Sequence, residues 1–173
     1  MKKLSCCISG LLVFCCVSTF ARIGETEAQV QARYGKPIKT AARWELDLPG
    51  TTKMYKNAGL TVIVTFIDGT SQREQYSKDL GSKLGLAEVE TILAANAGNR
   101  AWSEIKHGDP LHKWSSTRWT FDNFATGLVN QSANGLLADF DDAKGILYIA
   151  SNRFLRAMSA KGKADAEGKL KDF

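Results

Sequence analysis

The run Leu60 to Ile67, LTVIVTFI, followed at once by Asp68-Gly69, constrains this chain more than any other segment. β-Branched and aromatic residues dominate it, as a pleated, buried strand requires. Side chains alternate across a strand, so Val62, Val64 and Phe66 line one face while Ile63 and Ile67 lie on the other. Apolar residues on both faces predict a central strand. Asp-Gly supplies the two positive-φ positions of a tight hairpin turn. The following residues, Thr70 to Ser77, alternate polar positions and predict a hairpin partner exposed on at least one face.

Helical signals flank this hairpin. Thr26 can cap a helix to Tyr34, with Gln29 completing a capping box. Val30 and Tyr34 share one face at i,i+4, Gly35 suits the left-handed position past the end, and Pro37 stops resumption. A second helix spans about Leu86 to Asn96, with Val89, Ile92 and Leu93 as its apolar stripe. Gly98-Asn99 ends it, and Trp102 is expected to pack back on the core. Weaker strand signals cover Trp44–Leu48 and Lys53–Lys56. Later candidates are Trp114–Phe121, Phe124–Val129, Leu136–Phe140 and Ile146–Ser151, separated by Asp122-Asn123, Asn134-Gly135 and Lys144-Gly145.

This order predicts an α+β fold: an antiparallel sheet with two short helices packed on one face. The stretch Gly135-Leu136 to Lys144-Gly145 echoes Gly59-Leu60 to Asp68-Gly69, so a tandem helix-plus-strands repeat is a further reading of the same pattern. The domain is expected over residues 22–155. Beyond it, residues 156–173 read as a solvated basic tail, since the last 14 residues hold four Lys, three acids and two Gly.

Residues 1–21 read as a signal peptide. Lys2 and Lys3 form a positive head, Leu4 to Phe20 carry no charge, and Thr19-Phe20-Ala21 places small residues for cleavage after Ala21. An uncleaved or lipidated leader is the minority route to a membrane, because Phe14 and Val13-Phe14-Cys15 fit a lipobox poorly before Cys15 and Cys16. All four cysteines, Cys6, Cys7, Cys15 and Cys16, fall in this leader. A body cut after Ala21 would have no disulfide, thiolate metal site or cysteine nucleophile. The whole chain carries a formal charge of +5; without Lys2 and Lys3 it is +3. No basic stripe interleaved with aromatics accompanies that mild excess, so nucleic acid is not an expected partner.

The segment Gly24-Glu25-Thr26-Glu27-Ala28-Gln29-Val30, closed by Tyr34-Gly35-Lys36-Pro37, together with Tyr55 and Gly59-Leu60-Thr61-Val62-Ile63-Val64-Thr65-Phe66, resembles the opening of the SmpA/OmlA (BamE-like) family. The likeness covers roughly residues 24–70. Taken twice along the chain, the pattern also resembles the tandem arrangement of β-lactamase-inhibitor-protein-like domains. The resemblance implies a cell-envelope or secreted binding module that recognises protein by a sheet face.

Motifs of catalysis do not assemble. His107 and His112, with Glu104 nearby, are split by Gly108 and Pro110 and lack a third metal ligand. Asp139, Asp141 and Asp142 fail the calcium-loop register, which would need glycine and glutamate where Lys144 and Ala150 stand. There is no Gly-x-Ser-x-Gly elbow and no phosphate-binding glycine loop. The expectation is therefore a periplasmic or secreted, non-enzymatic protein-binding module with no cofactor and no metal. Its protein partner would lie in the envelope or outside the cell. Trp114, Arg118, Trp119 and Tyr55 are the candidate contact residues, because Trp, Tyr and Arg dominate binding hot spots. The alternative is a small-ligand binder or hydrolase with a helix–sheet pocket near His107 and His112.

Overall fold

The computed structural model describes residues 22–42, 50–97, 102–104, 117–121 and 135–170. Its elements in chain order are α1 (Glu27–Tyr34), β1 (Lys39–Ala42), β2 (Thr51–Asn57), β3 (Leu60–Ile67), β4 (Thr70–Lys78), α2 (Leu86–Ala97), β5 (Trp102–Glu104), β6 (Thr117–Phe121), β7 (Leu136–Asp141), β8 (Ile146–Ser151) and α3 (Asn152–Leu170). The strands form one antiparallel sheet in the order β1-β2-β3-β4-β8-β7-β6-β5. This is an α+β fold.

Local chemistry accounts for the hairpins. Ala58 and Gly59 both have positive φ, 50° and 79°, and so do Asp68 and Gly69, at 49° and 76°. Two consecutive left-handed residues twist the chain with the strands, which is why such turns close β2–β3 and β3–β4. Gln72 is the extra residue of a bulge where the register slips between Thr65/Phe66 and Arg73/Ser71. Helix α1 begins with the expected capping box: Gln29 N–H donates to the Thr26 hydroxyl at 3.4 Å, and Thr26 N–H donates to Gln29 Oε1 at 2.9 Å. The segment before it is pinned to β4, with Gly24 N–H donating to the Ser71 carbonyl and Ser71 N–H to that of Glu25, each at 2.8 Å.

The sheet order exposes an internal correspondence. Each half runs helix then four strands, and the halves join through their last strands, β4 and β8, by four register pairs from Arg73–Ala150 to Tyr76–Leu147. The echoing hairpins of the sequence are β3–β4 and β7–β8, which hold equivalent places. One continuous core spans both halves: Val30 and Tyr34 of α1, Val89, Ile92 and Leu93 of α2, and Tyr55, Val62, Val64, Phe66, Tyr76, Leu136, Phe140, Leu147 and Ile149 of the strands. Both short helices therefore pack on one face of the sheet. Trp102 packs against this core, its indole N–H donating to the Leu93 carbonyl at 2.8 Å.

Two differences from expectation stand out. Strands β1 and β5 are additions at the two edges, too short for a visible alternation. The segment from residue 156, expected as a solvated tail outside the domain, continues α3 to Leu170. That helix starts without a linker after β8 and turns onto the other face, where Phe154 joins Ile67 and Ala150 in a second, small apolar cluster. The strand candidates Trp44–Leu48 and Phe124–Val129 lie outside the described residues. None of the described helices is long and apolar enough to cross a membrane.

Candidate functional site

Strand register sorts the residues of the sheet into cross-strand rows. One row runs Trp119, Ala138, Ile149, Glu74, Val64, Lys53. Apart from its ends it is a core row, on the face that α1 and α2 cover. The next row runs Arg118, Asp139, Tyr148, Gln75, Ile63, Met54 and belongs to the far face. Asp139, Tyr148, Gln75 and Met54 are partly exposed there, whereas Ile63 is buried.

A cationic and aromatic cluster sits in the middle of that far face. The Arg73 guanidinium lies 5.1 Å from the centre of the Tyr148 ring and 5.8 Å from that of Phe154. Both distances suit attraction between a cation and a ring face. Arg73 also donates to Gln75 Oε1 at 3.3 Å. Over β3 the far face is closed: Ile63, Thr65 and Ile67 are buried, Thr65 pairs its hydroxyl with that of Thr52 at 3.3 Å, and Ile67 packs under Phe154. Toward β7 and β8 it is more open, with Leu137, Asp139, Ile146 and Tyr148 all partly exposed.

Directly behind Tyr148 and Gln75, on the helix face, lies a sealed polar cluster. Glu74 is fully buried. Its Oε2 accepts the Tyr76 hydroxyl at 2.5 Å, and Oε1 has no hydrogen-bond partner among the described residues. Burial pushes the Glu74 carboxyl up to about 8, the Tyr76 hydrogen bond pulling down, Glu25 pushing up and Arg33 pulling down in smaller measure. Burial and the adjacent Glu74 likewise hold the Tyr76 phenol well above its usual range. Arg33 of α1 is ion-paired with Glu25, and Asn96 of α2 hydrogen-bonds Tyr76. A carboxyl that stays neutral at pH 7 is a good general acid. Here the carboxyl is shielded from solvent, and its hydrogen bond goes to Tyr76 two residues along the same strand.

A cleft of about 210 Å³ opens at one end of the helix layer, lined by Tyr34, Asn57, Ala58, Leu60, Glu88, Thr91 and Ile92. The Glu88 carboxyl is held below the usual carboxylate range by the Gly85 N–H and by Lys78. His107 and His112 lie outside the described residues. Among the described residues, no three His, Cys, Asp or Glu side chains are grouped to hold a metal ion. Asp141 instead serves the β7–β8 turn, accepting the Lys144 N–H at 3.0 Å and pairing with its ammonium at 2.9 Å.

Of the four predicted contact residues, the structure describes the side chain of Tyr55 and the strand register of Arg118 and Trp119. Tyr55 is corrected outright: it is fully buried in the core, its ring 5.8 Å from that of Tyr34, and its hydroxyl lacks a partner among the described residues. Burial, with Glu27 adding, pushes that phenol up to about 12. Trp114 lies outside the described residues. Arg118 stands in the far-face row opposite Asp139, and Trp119 stands in the core row opposite Ala138. Sequence reasoning missed Arg73 and Tyr148. The alternation of Leu147 and Ile149 with Tyr148 was the available signal for a far-face tyrosine.

No protein-family model matches the chain, and no curated protein matches it. Among solved structures it is similar to a cysteine-rich secretory protein from Staphylococcus aureus subsp. aureus Mu50, at 7% identity and a TM-score of 0.39. That alignment covers 77% of this chain and 46% of the other, so the chain spans less than half the length of that protein.

Proposed function

We propose that the chain is a periplasmic or secreted, non-enzymatic module that binds a protein partner of the cell envelope or the exterior through the far face of its sheet. The observation that carries this reading is the Arg73–Tyr148–Gln75 cluster, set in the middle of an eight-stranded sheet on the face opposite α1 and α2. Arginine and tyrosine are the residues from which binding hot spots are built, and a rigid sheet presents them without loss of backbone freedom. The partly exposed Asp139 and Gln75 of the same row extend a mixed polar surface suited to a protein rather than to nucleic acid. The leader supports export, and the resemblance to envelope and inhibitor-protein families supports sheet-face recognition. No cofactor enters this reading.

Affinity capture from the envelope fraction, with the exported protein as bait, tests it. A specific partner should be retained by the native protein and by Thr91→Ala in the helix-side cleft, and lost with Tyr148→Ala. A partner retained equally by Tyr148→Ala, or none retained by the native protein, overturns the reading. Mass measurement of the exported product checks the compartment: cleavage after Ala21 makes Arg22 the first residue.

A further inference from the structure

The far face has an occupant from the chain itself. Helix α3 turns onto it directly from Ser151, and Phe154 is seated against Ile67 and Ala150, with Leu155, Ala157 and Met158 partly buried around it. These four positions form one helical stripe little more than one turn long. The stripe then stops, because Lys161 and Gly162 stand where its next turn would continue. Ser159, Ala160, Gly162 and Ala164 are exposed. A Cβ at Gly162 would touch nothing, so that glycine weakens the helix without serving any packing need. The outer tie at the helix start is the ion pair of Arg153 with Asp68, both more than half exposed and therefore weakly bound. Phe154 also shares the Arg73 guanidinium with Tyr148, so the helix rests on the same group that anchors the proposed binding cluster.

We propose that α3 is a displaceable strap: its first two turns hold the apolar end of the far face, and a protein segment bringing an aromatic side chain takes the seat of Phe154 against Ile67, Ala150 and Arg73. This inference rests on the binding role proposed for that face. It makes recognition a replacement, in which Arg73 keeps two rings beside it while the occupant changes. The chemistry of the incoming segment follows from the seat. An aromatic ring is required to satisfy both the aliphatic floor and the guanidinium, and a basic residue is disfavoured next to Arg73.

Two measurements on the full chain test the strap. In native hydrogen exchange, amides of α3 beyond Met158 should exchange at least tenfold faster than those of α2. Equal protection of α3 and α2 overturns the proposal. In the second, a fluorescent peptide of residues 152–170 is titrated onto the intact protein. It should bind the Phe154→Ala chain at least tenfold more tightly than the native chain, whose own helix fills the seat, and lose that binding when Ile67→Glu is added. Equal binding to both chains, or binding to neither, overturns it. Unchanged exchange protection of α1 and α2 verifies that Phe154→Ala is folded; if it is not, Met158→Ala trims the same stripe and must show the same direction. Peptide exchange without any captured envelope partner would remove the binding role and leave the displacement standing, whereas a captured partner with no peptide exchange would remove the strap alone.

Discussion

Glu74 places a carboxyl on a core row of the sheet, where its neighbours along the register are Val64 and Ile149. Folding holds it neutral up to about pH 8, against an ordinary value of 4.5. The folded state therefore keeps a proton that the unfolded chain releases between those values. Stability must fall as pH rises from about 4.5 to about 8 and level off above, with a slope of about 1.4 kcal/mol per pH unit for a single group. Glu74→Gln removes the ionisable group and still offers an oxygen to Tyr76. Its unfolding free energy from urea titration should stay flat across this window, matching the native protein near pH 4.5 and exceeding it by a few kcal/mol near pH 8; parallel curves would refute the assignment. Tyr55 makes a complementary case. Its ring fills the core while its hydroxyl lacks a partner among the described residues. Tyr55→Phe should change stability by less than about 1 kcal/mol, since a lone buried hydroxyl contributes little. Tyr55→Ala should cost roughly 3–5 kcal/mol through the cavity it leaves. The second outcome is incompatible with Tyr55 as a surface contact, a role suggested by residue type alone. A tyrosine's chemistry is visible in the sequence, but its face depends on cross-strand register.

Elements with strong local signals were legible. The capping box of α1, the stripe of α2 and the Asp68-Gly69 turn each rest on residues within one or two turns of each other, and each formed as expected. Edge strands β1 and β5, of four and three residues, are defined by their partners rather than by their own pattern. Helix α3 was obscured because its apolar stripe, Phe154 to Met158, follows β8 without a turn signal, and the residues beyond it are mostly small or charged, with two glycines. The β7–β8 turn shows how much one such local position carries. Gly145 has φ of 66°, and a Cβ there would lie 2.5 Å from Lys83 Cβ and 2.9 Å from the Leu84 nitrogen. Gly69 has a similar φ of 76° with open space around it. Gly69→Ala should cost about 1 kcal/mol, the ordinary penalty of a left-handed residue. Gly145→Ala adds a backbone clash and should cost at least about 2 kcal/mol more, because the approach to α2 must move. Denaturant midpoints of the two variants check the ranking; equal losses would mean that the Lys83–Leu84 segment yields freely.

The whole molecule turns on the β4–β8 seam. Sequence periodicity hinted at two similar halves, but nothing local could say which strands join them, since pairing between residues 73–76 and 147–150 is a long-range choice. It was made by burial: Tyr76 meets Leu147 and Glu74 meets Ile149 in the same core that receives α1 and α2. Neither half closes its own hydrophobic layer, so the halves should not unfold one after the other. We expect a single transition in urea, with hydrogen exchange at α1 and at β7 lost at the same denaturant concentration. Ile149→Ala opens a cavity at the seam and should cost roughly 3–4 kcal/mol. That loss should lower the protection of α1 and of β7 by the same amount, although Ile149 belongs to only one half. Protection surviving at α1 while β7 opens would mean that the seam is a contact between two independent units, and the far face they share could then not serve as one rigid surface for a partner.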